Sequence, residues 1–285
     1  MALTITLGSD EDIPRIGAEI RAGFMVWRRE MVHFLRTPLH AAASLLQPLL
    51  FLCVLGVGLS RLLAAGSSAS GDQYLAFLFP GVLVMAVQSP ALAVGASIVS
   101  DRQSGFMREM LAAPVGRGTL VVGKCLGGAT VATCQGGVLL AGAGMAGIPY
   151  RADLFAILLA ELALSALSMT VFAAVIAVSI RSIQTFHTVL SVLLTPMLFL
   201  SGMMFPISAM PHWMELLALV NPLTYAVDAM RGTIAVFRSG VELSPLSEPV
   251  SWFGWHVPPL LEIVLVAVFS VAGLVAASRR FSRPE

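Results

Sequence analysis

Gly118, Gly123 and Lys124 stand at the spacing GxxxxGK, in the run Gly118-Thr-Leu-Val-Val-Gly123-Lys124-Cys125. This is one residue short of a phosphate-binding loop. In such a loop backbone N–H groups cradle phosphates, the Lys reaches the β/γ-phosphates and a following Ser or Thr holds Mg²⁺. Cys125 occupies the Mg²⁺ position here. The loop should also follow a buried strand and open a helix of a soluble domain. This run instead follows a polar loop and leads into an apolar stretch. Nucleotide binding is rejected on both grounds, and no other part of the chain offers room for a nucleotide-binding fold.

The remaining reactive side chains are sparse. Glu161 and Glu262 stand within long apolar runs. A carboxylate at a bilayer centre costs about 2.5–3.5 kcal/mol on insertion scales, so each must face protein or water or take up a proton. Glu262, about one turn from a run's end, is expected to reach the membrane interface. Glu161 suits either a hydrogen bond to a neighbouring helix or contact with a polar or cationic substrate group. His187 reads as an interfacial residue. Cys53, Cys125 and Cys134 lie among apolar or small residues at no metal-site spacing. They read as small buried hydrophobes. No Ser/His/Asp, paired-Asp or His-rich arrangement suits intramembrane hydrolysis, so an enzyme is disfavoured.

The elements that carry these residues follow from composition. Of 285 residues 57% are hydrophobic and 12% charged. A soluble domain averages about 25% charged and roughly 45–50% apolar residues. The chain has too few charges to clothe a soluble surface, and the bilayer removes that need. A net charge of +1 gives no pull toward nucleic acid. A spanning helix takes about 20 mostly apolar residues. Six stretches qualify, at 39–59, 74–97, 121–147, 154–180, 188–204 and 257–277, within a single membrane domain over 1–285. The expected class is an all-α polytopic membrane protein. Residues 1–12 carry Asp10, Glu11 and Asp12 and no basic region, so no cleavable signal peptide is expected.

Basic residues set the orientation. With the N-terminus in the cytoplasm, thirteen of the seventeen lie inside and four, Arg61, Arg151, Arg231 and Arg238, lie outside. Both termini are therefore expected in the cytoplasm. Residues 13–37 form a separate amphipathic helix. Ile13, Ile16, Ile20, Phe24, Trp27, Met31 and Phe34 fall on an arc of about 100°, with the arginines elsewhere. This is the build of an interfacial helix with its aromatics dipped into the membrane.

Two connecting segments stand out. Residues 205–237 are apolar but broken by Pro211 and Pro222, which fits a re-entrant hairpin on the outer face. Asn221 is expected to cap its second helix, with Pro222 in the first turn. Residues 239–255 read as a polar outer loop. Residues 100–115 form a charged segment on the cytoplasmic side, with Phe106, Met107, Met110 and Leu111 on one side at helical spacing. Such a segment suits either a connecting helix at the headgroups or a surface for a soluble partner.

Two motifs carry a resemblance. DRQSGFMREMLAAPVGRGTLVVGK resembles the cytoplasmic loop of ABC-2 permeases: Asp-Arg, then a Gly, an Arg, a Leu-rich turn, Pro-Val, Arg and a later Lys. FLSGMMFPISAMPHWMELLALVNPLTYAVDAMRG is similar to the family's second hallmark, Ser-Gly-x-x-x-Pro followed by Asn-Pro-Leu-Thr-Tyr and an Arg. The subgroup it most resembles is that of the antibiotic-resistance and nodulation-factor exporters. The resemblance implies a non-catalytic permease dimer, most simply a homodimer, in the inner (cytoplasmic) membrane. Two separate ATPase subunits would bind ATP and Mg²⁺, with no cofactor in this chain. An amphipathic drug, lipid or glycolipid would move outward.

It further implies that 100–115 is a coupling helix seated on the ATPase through Gly105, Phe106, Met107, Arg108, Glu109, Met110, Leu111 and Pro114. Residues 205–237 would close the exit. Glu161, Ser201, Phe205 and Tyr225 are the expected lining of the substrate pathway. The first and fifth spans are expected to meet their counterparts across a two-fold axis through Gly56, Gly58, Ser191 and Gly202. An ATPase-independent secondary transporter or channel is the alternative. It would be expected to show inverted repeats and helices broken at the midplane.

Overall fold

The computed structural model describes residues 12–66, 71–104, 116–237, 249–252 and 254–282. The chain opens with α1 (Asp12–Arg36) and turns at Thr37 into α2 (Pro38–Leu50). Pro48 lies inside α2, where it has no N–H for the preceding turn. The helix then widens into a π-helical turn, Phe51–Gly56, and continues as α3 (Val57–Gly66). Next come α4 (Gly71–Gln103), α5 (Arg117–Leu140), α6 (Ala152–Ser179) and α7 (Ile183–Leu200). Two short helices follow, α8 (His212–Val220) and α9 (Pro222–Phe237). A two-residue hairpin, β1 (Ser251–Trp252) and β2 (Trp255–His256), precedes α10 (Pro259–Ser282). The strands pair antiparallel, Trp252 opposite Trp255.

Five helical segments are long and apolar enough to cross a membrane: Pro38–Arg61, Gln73–Gln103, Ala152–Ser179, Ile183–Leu200 and Pro259–Phe281. The chain is thus an all-α polytopic membrane protein. α5 coincides with the third expected span. Its 24 residues reach about 36 Å at 1.5 Å per residue, but Lys124, Gln135 and six glycines dilute its hydropathy. It ends at Leu140 and not at 147, where a 3₁₀ turn, Ala143–Ala146, closes on Gly147 at φ 67°.

Core packing explains those glycines. α4, α5 and α6 pack against one another, and α1 lies along α5. A Cβ on Gly128 would stand 2.0 Å from Val94, and one on Gly136 would stand 2.8 Å from Leu162. Gly123 faces Gly23 of α1, whose carbonyl oxygen would stand 2.8 Å from an added Cβ. Only hydrogen atoms at these positions allow the helices this close.

α1 seats itself differently from the expected arc. Val26 is buried against Gly123, and the Trp27 indole donates to Thr130 Oγ1 at 3.1 Å. Ile20 and Phe24, from the expected apolar face, remain 69% and 55% exposed. α1 therefore has two faces, one carrying Gly23, Val26 and Trp27 against α5 and one exposed face with Ile20 and Phe24. The small residues expected at the two-fold axis divide similarly. Gly56 is buried against Leu75 and Gly202 packs on Ile207, so both serve internal packing. Gly58 opens into free space and Ser191 is exposed.

Candidate functional site

Lys124 stands in the middle of a helix, and its ammonium is buried. It ion-pairs with Asp101 Oδ2 at the end of α4 and donates to Ser97 Oγ at 3.0 Å. Arg29 of α1 adds a second cation 3.9 Å from the same carboxylate oxygen. The next residue, Arg102, donates to the Val178 carbonyl at 2.6 Å, at the end of α6. The Asp101-Arg102 pair therefore clamps the end of α4 to α5 and α1 on one side and to α6 on the other. The GxxxxGK spacing has structural work on both counts: Gly123 admits α1 and Lys124 neutralises Asp101. The signal for the clamp was present in the sequence, since a single Lys inside an apolar helix requires a counter-ion. Gly105, Phe106, Met107, Arg108, Glu109, Met110, Leu111 and Pro114 lie outside the described residues.

The second motif ties α9 to the end of α7. Asn221 Oδ1 accepts from the Leu223 N–H at 3.1 Å, as a cap should, with Pro222 in the first turn. Its amide also donates to the Met197 carbonyl at 2.6 Å, one of the last-turn carbonyls a helix leaves unpaired. Thr224 reaches the Leu200 carbonyl at 3.4 Å, and Ser201 Oγ donates to Leu198 O at 2.6 Å. Gly202 sits at φ 73°, where other residues are strained, and its carbonyl accepts from Arg231 at 2.9 Å. The Tyr225 hydroxyl donates to Leu219 O at 2.7 Å and accepts from the Trp252 indole at 3.0 Å. Residues 238–248 lie outside the described residues. Beyond them the hairpin latches onto α9, a contact the sequence reading missed.

A buried charged network lies beneath this junction. Arg231 is buried, its guanidinium 3.9 Å above the Phe77 ring and 3.6 Å from Asp228. Asp228 also accepts the Val250 N–H at 2.8 Å. Glu161 accepts from Thr233 Oγ1 at 2.6 Å, so the inter-helix hydrogen bond is the role the fold gives it. Glu262 does not reach the interface as expected. It is 1% exposed and lies against Asp228, near Arg231 and Glu161. α10 turns that face toward α6 and α9, so the carboxyl is enclosed by protein rather than reaching water. At the α5–α6 turn, Arg151 and Asp153 form an exposed ion pair at 2.6 Å. This bond, with the charge of Asp153, raises the Arg151 pKa above its ordinary value.

Two contiguous clefts open along α4. One, about 300 Å³, runs between α1, α2, α4 and α5 and is bordered by Arg29, Glu30 and His33. The other, about 550 Å³, lies between α2, α4 and α7. His40, Ser44, Ser89 and Ala93 belong to both. Of the expected pathway residues, Ser201, Tyr225 and Glu161 are buried and Phe205 is 54% exposed, and none of the four lines either cleft. The fold brings Ser201 and Tyr225 to one junction and leaves Glu161 in the network below it.

A bundle of long apolar helices with clefts between its spans is the architecture of a polytopic membrane protein. The chain belongs to the ABC-2 type transporter family, whose family model matches residues 22–235. It is similar to the ycf38 transport permease of Cyanophora paradoxa, 26% identical over 88% of this chain and 86% of that one. It is also similar to nodulation protein J of Rhizobium meliloti (strain 1021), 25% identical over 88% and 91%. The inner membrane transport permease YadH of Escherichia coli (strain K12) is 22% identical over 72% and 80%. Its role is that of a transport permease.

Proposed function

We propose that this permease is the membrane subunit of an ATP-driven exporter that moves an amphipathic drug, lipid or glycolipid outward. The observation that carries the reading is the match of the family model to residues 22–235 of a multi-helix membrane bundle. Two copies, each with six spans and both termini in the cytoplasm of the inner membrane, pair with two separate ATPase subunits that bind ATP and Mg²⁺. α5 is the sixth crossing, and α8 and α9 form the re-entrant pair at the exit. The similarity to nodulation protein J and to an inner membrane permease supports export and location. The helical setting of Gly118–Lys124 supports placing ATP on the partner.

Residues 100–115 are the seat of the ATPase, and this is the part to test. An apolar anchor contributes about 1.5–3 kcal/mol on burial, and a rim ion pair contributes about 0–1 kcal/mol. Met110→Ala or Leu111→Ala should therefore weaken ATPase association roughly 10- to 100-fold, and Arg108→Ala at most about fivefold. Glu109→Arg should abolish substrate-stimulated ATP hydrolysis by setting like charges together. Pull-down affinity and ATPase rate in reconstituted membranes read both effects. Wild-type coupling in all four variants would make the segment a connector only.

A further inference from the structure

A separate cleft, about 600 Å³, runs between α1, the first half of α5 and the end of α10. Gly23, Gly118 and Gly123 make its floor, and Ile20, Phe24, Trp27, Val122 and Leu126 make its walls. The indole of Trp27 is held by its bond to Thr130, which fixes that wall. Ile20, Phe24 and Leu126 remain exposed. The glycine spacing that imitates a phosphate loop thus leaves an apolar trough along the outside of a membrane bundle. Water in such a trough finds too few polar partners, so an acyl chain is what fills it.

The free charges around the trough are of one sign. Glu19 is the only ionisable side chain lining it among the described residues. It is turned to the start of α5, where a Cβ on Gly116 would stand 3.0 Å from its Oε1, at the positive end of the helix dipole. Arg29 is engaged with Glu30 and Asp101. Arg21 and Arg28 stand three residues before and four after Phe24, and so share its side of the helix. Both are exposed, and among the described residues neither forms an ion pair. Each such arginine favours an anionic over a zwitterionic head group by about fivefold. Hydrocarbon gains little by leaving bulk lipid for a protein groove. The trough therefore fixes where the chain lies, and the arginines decide which head group it carries.

We infer that the cleft between α1, α5 and the end of α10 binds an anionic phospholipid, with one acyl chain between Phe24 and Leu126 and the phosphate at Arg21 and Arg28. The bound lipid fastens α1 to α5 on the side that their glycine contact leaves open. This goes beyond the transport reading and needs no ATPase. Only the leaflet, the inner one, follows from the proposed topology.

The test uses the full chain in phosphatidylcholine nanodiscs. Two trace probes share one diazirine-bearing acyl chain, on phosphatidylglycerol or on phosphatidylcholine, and cross-linked peptides are mapped by mass spectrometry. Phosphatidylglycerol should label residues 20–27 and 122–126 about 10- to 25-fold more than phosphatidylcholine, as two arginines predict. Along 264–275 of α10 the two probes should label alike. Arg21→Gln combined with Arg28→Gln should bring the ratio at the trough below about threefold, and the corresponding pair of Lys substitutions should keep it. Arg36→Gln, at the far end of α1, should change nothing. Leu126→Trp, which fills the trough from an exposed position, should remove most phosphatidylglycerol labelling at 20–27 and leave 264–275 as it was. Equal labelling by both probes at the trough overturns the inference. So does the same preference along 264–275, which would mark a diffuse attraction in place of a site. An unchanged ratio in the double Gln variant, or unchanged labelling in Leu126→Trp, overturns it too when the variant elutes and melts as the wild type does. Inverted labelling at residue 244 would overturn the proposed topology, move the site to the other leaflet and leave the lipid assignment standing.

Discussion

Replacing Lys124 by Met removes the cation that neutralises Asp101 and keeps most of the side-chain volume. Breaking a fully buried pair by deleting one partner costs about 3–5 kcal/mol. This pair falls short of that limit in two ways. The Asp101 side chain is 17% exposed, and Arg29 remains 3.9 Å away. Discounting for both gives about 1.5–3 kcal/mol. For a domain of this size that corresponds to a fall in Tm of about 3–10 °C. Adding Asp101→Leu should recover most of the loss, because the desolvated charge leaves with its partner. Arg29 still keeps Glu30 at 3.8 Å. The assay exists within the helix itself. Cys125 is buried one residue from Lys124, whereas Cys53 and Cys134 are exposed. With those two changed to Ser, a thiol-reactive fluorophore reports the opening of α5 on heating. A single variant within about 1 °C of its parent, or a double variant as unstable as the single, would refute the clamp.

Three further outcomes follow from the packing and the topology. Gly123→Ala should lower stability by about 1–3 kcal/mol by driving α1 off α5. Gly58→Ala, which meets nothing within 4 Å, should change it by less than about 1 kcal/mol and toward stabilisation; equal effects on Tm would refute the close-approach reading. Asn221→Ala should cost about 1–2 kcal/mol by removing both the cap of α9 and the tie to the Met197 carbonyl. Asn221→Asp should keep the cap and lose the tie, and a thermal melt of the two variants separates them. A cysteine at Ser244, in a chain otherwise free of thiols, should react with impermeant maleimide on intact cells; labelling only after permeabilisation would invert the topology.

The long apolar runs were legible because the bilayer admits few other readings of them, and Asn221 with Pro222 announced a helix start by residue type alone. What was not legible was pairing at a distance. Glu262 sits near a helix end in the sequence, so its depth looked like a matter of reach to water. Its burial is decided by Asp228 and Arg231 on α9, 34 and 31 residues earlier. Lys124 and Asp101 are likewise 23 residues apart. The small residues Gly56 and Gly202 looked like contacts with a second copy, because small size marks close approach without saying to what. Of the expected pathway residues, Ser201 and Tyr225 engage their hydroxyls at the junction of α7, α9 and the hairpin, and Glu161 on α6 bonds Thr233.

The distribution of burial separates the bundle into parts with different tasks. Across their most apolar stretches 61% of α4 and 56% of α6 are buried, against 17% of α2–α3 and 22% each of α7 and α10. The clamp at Asp101-Arg102 fastens the well-buried α4 to α5, α1 and α6. α7 answers to the other end, through Asn221 and Thr224. Helices with little buried surface separate at low cost, and the cleft opens between two of them and the rigid α4. Moving α7 against α4 would repack Phe186 and Met203, which stand against Gly95 and Gly81, while leaving the charged clamp intact. The charge networks therefore sit at the two ends of the moving helix and not along it, and a bundle built this way can widen its cleft without exposing an unpaired charge to lipid.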